Sequence, residues 1–284
     1  MRYMEDKKRT YEQDIIKHLR AHNNLFVGDR EVDKQVVYAL EEGQVVGVVH
    51  TNLFWDWVSM GKVVYKDKRT LSTMLGAVDA YYGDRAVGIK KFSDQEQFLA
   101  DLREAGLRVG GKTAGTPKTP VYTMVKAGRQ AYEVDSRLTI RTAEDPIDSY
   151  EEAAEAIDMS DKFKSTADQA KSQPEEEDTY KEVFFVALDG DQFAGGIYAE
   201  IEDDSMYISR LAVDPAYRGH DIGSKLMQMA VDRARDLALY NITTGTCSFQ
   251  AKDFYIKLGY RIVFTKDNDP KGYASYSLEK KLQG

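Results

Sequence analysis

The second half of the chain alternates short apolar segments with turn residues, and several stretches have helical periodicity. Runs rich in β-branched and aromatic residues predict strands, whereas apolar residues recurring every three or four positions predict helices. We expect strands at 138–142, 182–188, 193–200, 206–213, 242–247, 260–265 and 273–278, and helices at 150–158, 222–239 and 250–258. Asp189-Gly190-Asp191 is typical of a hairpin turn, and Gly259 of a helix end. The polar run 171–178 predicts a loop.

The first half shows a weaker copy of this order. Helices are expected at 11–21, 70–82 and 95–104, and strands at 36–40, 45–50, 62–66, 86–92 and 121–126. The order of hairpin, helix and glycine stop agrees between the halves, which indicates an internal duplication of about 130 residues. We therefore predict two tandem domains, 1–134 and 135–284. Their expected class is α+β (α/β three-layer), each a mixed, mostly antiparallel twisted sheet flanked by helices.

The composition narrows the classes of protein to consider. The net charge of −8 is uneven, because residues 1–134 contain 21 Lys and Arg against 18 Asp and Glu, and the remainder 18 against 29. An acidic second half argues against nucleic acid as a partner and weakly favours a cationic substrate. The lone Cys247 and four histidines without ligand spacing predict neither an intrachain disulfide nor a metal site. Without a long apolar run or a signal sequence, we expect a cytoplasmic protein with no membrane partner.

Candidate chemistry is concentrated between the strand 206–213 and the helix that follows it. Pro215 ends the strand, and Gly219 and Gly223 bracket the start of the helix. The first amides of a helix have no internal acceptor and carry partial positive charge, so this turn is suited to bind a phosphate. Arg218 adds a cationic donor. The spacing fits neither the dinucleotide-binding fingerprint nor the Gly-Lys-Ser/Thr phosphate loop.

Two motifs in this region resemble those of the GNAT superfamily of N-acetyltransferases. LAVDPAYRGHDIG at 211–223 resembles the family's phosphate loop, and AKDFYIKLGY at 251–260 resembles the helix after its next strand. The resemblance covers residues 137–282 and extends to the first half only through the order of elements. It implies an acetyl-coenzyme A-dependent acetyltransferase made of tandem GNAT-like domains, of which the N-terminal one is degenerate.

The resemblance implies that acetyl-CoA binds along the end of the strand and the loop. The residues expected to contact it are Leu211, Ala212, Val213, Arg218, Gly219, His220, Asp221, Ile222, Gly223 and Ser224. His220 is equally consistent with an idle exposed residue. Asp221 replaces a glycine of the family, and although aspartate tolerates unusual backbone angles, its carboxylate is unfavourable beside a pyrophosphate. This position therefore puts cofactor affinity in question.

The resemblance also implies that a primary amine of a small molecule or peptide attacks the thioester directly. Tyr255 would protonate the leaving thiolate, because the pKa of a phenol is close to that of an alkyl thiol. The alternative is that Tyr255 packs as an ordinary helix aromatic. The glutamate that often serves as base is absent from 208–211, so Glu200 and Glu202, with the two aspartates that follow, are the candidate bases. Such an acidic cluster is also typical of a solvated turn.

The first half lacks these features. Its equivalent loop, 65–70, has no glycine and bulky side chains, so we expect this domain to be catalytically silent. Trp55 and Trp57 are expected on one strand face, either in a core or domain interface or in a substrate-binding wall. The hypothesis is a tandem-domain N-acetyltransferase, monomeric or homodimeric, with one acetyl-CoA site and no metal. The alternative is a non-catalytic module that binds CoA thioesters or a protein partner.

Overall fold

The computed structural model describes residues 1–27, 32–54, 57–83, 85–92, 96–113, 121–126, 131–143, 181–202 and 204–282. Its strands are β1 (Arg2–Glu5), β2 (Val32–Glu41), β3 (Gln44–Phe54), β4 (Trp57–Tyr65), β5 (Ala86–Phe92), β6 (Arg108–Thr113), β7 (Val121–Lys126), β8 (Leu138–Ala143), β9 (Lys181–Asp189), β10 (Gln192–Glu202), β11 (Ser205–Val213), β12 (Asn241–Cys247), β13 (Arg261–Asp267) and β14 (Ala274–Lys281). Its helices are α1 (Glu12–Asn23), α2 (Lys68–Tyr82), α3 (Glu96–Glu104), α4 (Ile222–Asp236) and α5 (Lys252–Lys257). Among these helices, none combines the length and the apolar character needed to cross a membrane.

The strands form two seven-stranded sheets with the same pattern of neighbours. The N-terminal sheet has the order β8-β2-β3-β4-β5-β7-β6, and the C-terminal sheet has the order β1-β9-β10-β11-β12-β14-β13. Each sheet has one parallel pair, β4 with β5 and β11 with β12, among antiparallel neighbours. Mixed sheets that carry helices on their faces confirm the predicted α+β class.

Each sheet takes its first strand from the opposite half of the chain. Strand β1 pairs with β9, so that Arg2 lies opposite Leu188. Strand β8 pairs with β2, so that Ala143 lies opposite Val36. The chain therefore exchanges two strands between its halves, and neither sheet is complete without the other half.

This exchange corrects the predicted grouping of the elements. The strand predicted at 138–142 exists, but it completes the N-terminal sheet and not the C-terminal one. A division of the chain after residue 134 therefore does not coincide with the division of the strands into two sheets. An alternating pattern predicts a strand and its buried face, whereas the partner strand depends on contacts that are distant in sequence.

Helices α1 and α4 cover opposite faces of the C-terminal sheet. Successive strand residues point to opposite faces, and the adjacent Gly195 and Gly196 of β10 show which helix covers each face. A Cβ atom on Gly195 would lie 3.0 Å from Cγ2 of Ile222 in α4, whereas one on Gly196 would lie 2.8 Å from Cδ1 of Ile15 in α1. The two glycines therefore allow both helices to approach the sheet closely.

The helices predicted at 70–82 and 222–239 are present as α2 and α4, although α4 ends at Asp236 and Leu237 is exposed. The buried hydrophobic residues of α4 recur every three or four positions and are Ile222, Leu226, Met227, Ala230, Val231 and Ala234. Those of α2 are Leu71, Met74, Leu75, Val78 and Tyr82. Each helix packs on its own sheet, and full burial of a side chain of this size contributes about 1.5–3 kcal/mol.

Two of the predicted turns are present in the structure. The predicted hairpin at 189–191 joins β9 to β10, and Gly190 has a φ of 60°. Gly259 ends the last turn after α5 with a φ of 85°, which a residue without a Cβ adopts at little cost. The predicted helix at 150–158, the predicted loop at 171–178 and Trp55 lie outside the described residues.

Candidate active site

The two parallel strands at the centre of the C-terminal sheet separate halfway along their length. Strands β11 and β12 pair from Ser205 to Ile208 and from Asn241 to Thr244, and not beyond. At the last pair, Thr244 Oγ1 donates a hydrogen bond of 3.0 Å to the Ile208 carbonyl oxygen. Ser209 is a bulge on the other side of β11, because Ala199 pairs with Ile208 while Tyr198 pairs with Arg210. The strands therefore leave a gap that begins at Ser209.

The loop between β11 and α4 is held by its own backbone and by Asp214. The Asp214 carboxylate accepts a hydrogen bond of 2.8 Å from the Ala216 amide. Gly219 and Asp221 both have positive φ angles, of 79° and 58°. The Asp221 side chain makes no capping hydrogen bond, and the first bond at this end of the helix joins the Lys225 amide to the Asp221 carbonyl oxygen at 3.0 Å.

The amides that open α4 are consequently available to a ligand. Those of Ile222, Gly223 and Ser224 make no hydrogen bond to any acceptor in the described part of the chain. Arg218 is exposed, and its Nε lies 3.4 Å from the Val213 carbonyl oxygen, with no carboxylate partner among the described residues. The end of a helix with free amides and an unpaired guanidinium is suited to a phosphate group.

His220 is engaged by its own loop. Its Nδ1 lies 3.0 Å from the Arg218 carbonyl oxygen and 3.3 Å from that of Tyr217. The ring is exposed, so the remaining nitrogen, Nε2, faces away from these contacts. The other residues expected to contact a cofactor, Leu211, Ala212 and Val213, lie on β11 beyond the point where it separates from β12.

Tyr255 reaches the strand gap from the α4 side of the sheet. Its side chain is buried, with 6% of the residue exposed, and it lines the same cleft as Ser209 and the α4 loop. Burial raises the pKa of the Tyr255 phenol to about 12, although a hydrogen bond with Thr244 acts in the opposite direction. The phenol is therefore protonated at neutral pH and lies where the two strands part.

The predicted bases differ in their positions. Glu200 on β10 is half-buried and lies directly opposite Tyr207 on β11. Tyr207 lines the cleft with 42% of the residue exposed, and the pKa of its hydroxyl is raised by partial burial and then by the Glu200 carboxylate. Asp204 is exposed, and the Glu202 side chain and Asp203 lie outside the described part of the chain. Glu200 is thus the described candidate nearest to the cleft, and Tyr207 is the residue that the sequence patterns did not single out.

A cleft of about 1740 Å³ joins the loop and the strand gap to the N-terminal sheet. Pockets for single small molecules are typically about 300–1,000 Å³, so this cleft can hold two reactants. One wall is α1, whose residues Ile16, Leu19, Arg20 and Asn23 face the cleft. Sequence reasoning missed this wall because α1 is about 190 residues distant from the loop that it faces.

Side-chain hydrogen bonds hold α1 beside the gap. Gln250 Nε2 donates to Asn23 Oδ1 at 2.8 Å, and His22 Nε2 lies 3.3 Å from the Phe249 carbonyl oxygen. At the other end of the cleft, His18 Nε2 lies 3.5 Å from Asp214 Oδ2. Helix α1 therefore contacts both the β12–α5 connection and the phosphate-loop region.

Trp57 lies at the boundary between the two sheets. Its ring packs on Gly88, because a Cβ atom there would lie 2.7 Å from the indole, and it makes an edge-to-face contact with Phe264 at 5.9 Å. Lys266 Nζ lies 4.6 Å from the ring centroid. Trp57 lines the cleft with 8% of its surface exposed, so it belongs mainly to the interface and only at its edge to the cleft wall.

Comparisons with known proteins give one matching family and several related acetyltransferases. The family model described as the acetyltransferase (GNAT) family matches residues 150–260. A blasticidin-S acetyltransferase from Streptomyces morookaense is 33% identical over 92 residues, which are 32% of this chain and 68% of the relative. An acetyltransferase structure from Bacillus cereus ATCC 14579 is 27% identical, with a TM-score of 0.38, and the match covers 41% of this chain and 84% of that one. For the PaiA N-acetyltransferase from Thermoplasma acidophilum in complex with coenzyme A, the identity is 22%, the coverage 35% and 60%, and the TM-score 0.31.

The assignment to a family rests on the relative from Streptomyces and on the family model. The solved structures, with TM-scores of 0.38 and 0.31, do not contribute to it. The two motifs that predicted the family, at 211–223 and 251–260, form the α4 loop and the helix that bears Tyr255. The chain therefore belongs to the GNAT family of acetyltransferases.

Proposed function

We propose that this protein transfers the acetyl group of acetyl-CoA to a primary amine of a small molecule or peptide by direct attack. The observation that carries the proposal is the row of free amides at the start of α4, which lies beside the strand gap that Tyr255 enters. A phosphate-binding helix end, a gap for an extended chain and a buried acid along one cleft are what transfer from a CoA thioester requires.

Acetyl-CoA would bind along β11 and the loop. The pyrophosphate would accept hydrogen bonds from the amides of Gly219–Ser224, with Arg218 as a charged donor. The pantetheine amides would pair with the backbone of Leu211–Val213, which has no partner strand on the side of the gap. The Asp221 carboxylate would weaken this site through charge repulsion, and its φ of 58° lies in the left-handed region that glycine adopts freely.

In the reaction, the amine nitrogen forms a bond to the thioester carbonyl carbon, and the carbon–sulfur bond breaks. A backbone N–H of β11 near Val213 would stabilise the negative charge that develops on the carbonyl oxygen. Tyr255 would then give its proton to the leaving thiolate. The raised pKa of Tyr255, about 12, keeps the phenol protonated at neutral pH, and it also places the acid further above the pKa of an alkyl thiol than the unperturbed value of about 10.

The attacking amine must lose a proton, and Glu200 is the proposed acceptor. The amine would reach the carbonyl carbon from the α1 face of the sheet, where Tyr207 and Arg210 lie. Glu200 is the cross-strand neighbour of Tyr207, so the proton can pass to it through the Tyr207 hydroxyl or a water molecule. Glu202 remains a second proposed base at the end of the same strand.

Calorimetric titration with acetyl-CoA, followed by thiol release in the presence of an amine panel, tests the proposal. The panel would include blasticidin S, because a relative at 33% identity is named for it. We expect one acetyl-CoA per chain and transfer to at least one amine. No binding at millimolar acetyl-CoA would exclude the proposal, and binding without any transfer would favour the non-catalytic binding module.

A further inference from the structure

The N-terminal sheet contains a second strand gap, and this gap opens into the same cleft. Strands β4 and β5 pair in parallel from Trp57 to Ser59 and from Ala86 to Gly88, and not beyond. Ser59, Met60, Gly61, Gly88 and Ile89 line the cleft. The strands that separate here hold the same places in their sheet as β11 and β12 hold in theirs. Two equivalent gaps therefore face each other across one cavity.

The N-terminal gap is not a second cofactor site. The Asp67 carboxylate accepts hydrogen bonds from the Thr70 amide at 2.9 Å and from the Thr70 hydroxyl at 3.0 Å, so the start of α2 is already capped. Leu102, four residues before Gly106, corresponds to Tyr255, four residues before Gly259, and is fully buried. At the two positions equivalent to the α4 loop and to Tyr255, the described residues of this half therefore provide neither an open helix end nor an acid.

The strands beside the N-terminal gap still provide backbone hydrogen-bonding groups. Where two parallel strands separate, the amides and carbonyl groups that face the gap lose their partner strand and can bond to another extended chain. The side chains here are small or uncharged, with Ser59 and Gly61 exposed to the cleft and Thr123 beside them. A Cβ atom on Gly61 would meet nothing within 4 Å. The gap therefore has room and hydrogen-bonding groups for a chain that contains amides and no phosphate.

We propose that the gap between β4 and β5 binds the amine substrate, and that this substrate is a peptide or a peptide-like amine. The inference rests on the proposed acetyl transfer. The amide-bearing part of the acceptor would lie against the N-terminal sheet, and its amine would extend across the cleft to the gap between β11 and β12. The degenerate half would then select the acceptor while the C-terminal half binds acetyl-CoA, which also accounts for a cleft larger than one ligand requires.

The variant Gly61→Phe tests the proposal, since the φ of Gly61 lies outside the left-handed region and the added ring would enter open space. We expect the KM for a short peptide amine to rise by at least about tenfold, in the range that steric pocket changes produce. The Kd of acetyl-CoA and the KM for an alkylamine of equal length without amides should stay unchanged. Ser59→Phe serves as a second variant should Gly61→Phe fold poorly. Thr142→Phe, at an exposed position of β8, is the matched control.

The outcomes separate this inference from the proposed function. An unchanged KM in both gap variants, or equal kcat/KM for the peptide amine and the amide-free amine in the unmodified protein, would overturn the inference and leave acetyl transfer intact. Titration of two acetyl-CoA molecules per chain would overturn it as well, because the N-terminal gap would then bind cofactor. Absence of any acetyl-CoA binding would instead refute the proposed function.

Discussion

Helices α2 and α4 begin at equivalent places in the two sheets, and an aspartate precedes each of them. Asp67 has an extended backbone, with φ −153° and ψ 170°, and its carboxylate caps the Thr70 amide. Asp221 has a left-handed backbone, with φ 58° and ψ 16°, and its carboxylate caps nothing. The same residue type thus closes one helix end and leaves the other open. The two aspartates differ in backbone conformation, and this difference leaves free amides at the start of α4, where we propose that a phosphate binds.

The two halves also differ at the position of the proposed acid. Leu102 and Tyr255 are both buried at the matching position of a short helix that ends at a glycine. Both serve the packing of their sheets, but only Tyr255 carries a proton that it can donate. In the proposed mechanism, the same buried position therefore has a chemical role in the C-terminal half only.

The variant Tyr255→Phe should have the largest effect on acetyl transfer. It removes the hydroxyl proton, so that this position can donate no proton, as at Leu102. We expect kcat for acetyl transfer to fall by about 10²–10⁴-fold, the usual contribution of a general acid, while the Kd of acetyl-CoA is unchanged. Thiol-release kinetics and calorimetry measure the two quantities. Tyr260→Phe is the matched control, since the buried Tyr260 hydroxyl has no hydrogen-bond partner among the described residues. Equal losses in both variants would argue for a packing role of Tyr255.

Charge reversal at the open helix end should have the next largest effect. In Arg218→Glu, a charge-assisted hydrogen bond is lost and a repulsive carboxylate is added, so we expect the Kd of acetyl-CoA to rise by about 10–100-fold. Arg69→Glu makes the same change in the first turn of α2 and should leave the Kd unchanged. Calorimetric titration at one fixed salt concentration measures both. A similar loss in the two variants would place a cofactor phosphate at α2 and contradict the contrast.

The variant Asp221→Gly should have a smaller effect, in the opposite direction, on the Kd of acetyl-CoA. It removes a carboxylate beside the pyrophosphate and places at φ 58° a residue that adopts this angle freely. We expect acetyl-CoA to bind about three- to tenfold more tightly, a gain of roughly 1 kcal/mol. The matched change, Asp67→Gly, should not alter the Kd. Weaker binding in Asp221→Gly would mean that the aspartate helps to hold the loop in its binding conformation.

Removal of the closed cap should affect stability and not binding. In Asp67→Ala the Thr70 amide loses its acceptor, so we expect the free energy of unfolding to fall by about 1 kcal/mol. Asp221→Asn removes no capping bond, keeps a residue type that tolerates φ 58°, and should change stability less. Urea denaturation followed by circular dichroism compares the two. A larger loss for Asp221→Asn would contradict the assignment of the two caps.

The smallest expected effect concerns kcat at alkaline pH, which we expect not to decline. A general acid works while it is protonated, and the raised pKa of Tyr255, about 12, extends that range beyond the pKa of about 10 of an unperturbed phenol. The kcat of acetyl transfer should therefore not decrease as the pH rises from about 8 to about 10.5. A pH–rate profile, corrected for spontaneous thioester hydrolysis, measures this. A decline centred near pH 10 would show that the acid titrates as an exposed phenol.

Local sequence signals predicted much of the fold. The Asp189-Gly190-Asp191 hairpin, the apolar spacing of α4 and the stop at Gly259 depend on residues within a few positions of one another, and each is present. The same holds for the α4 loop, where the motif at 211–223 indicated a helix end with free amides. Short-range patterns are readable because turn and helix geometry limit which residues fit.

The remaining features depend on contacts that the sequence does not encode locally. Nothing in the polar segment Arg2–Glu5 indicates that it pairs with β9, and nothing in β8 indicates that it pairs with β2. Tyr207 is ordinary by type, and its interest arises from the bulge at Ser209 and from the gap beside it. The gap between β4 and β5 contains no motif, since backbone hydrogen-bonding capacity is independent of side-chain identity.

The exchange of β1 and β8 determines how this protein can be dissected. A fragment that starts at residue 135 would retain the phosphate loop and Tyr255, but the edge of β9 that β1 covers would be open and α1 would be missing from the cleft. An open edge is a template for pairing with other chains, so this fragment would aggregate unless a peptide of residues 1–27 were supplied to it. A permuted chain, with those residues fused to the C-terminal half, would restore the β1 edge and the α1 wall within one polypeptide.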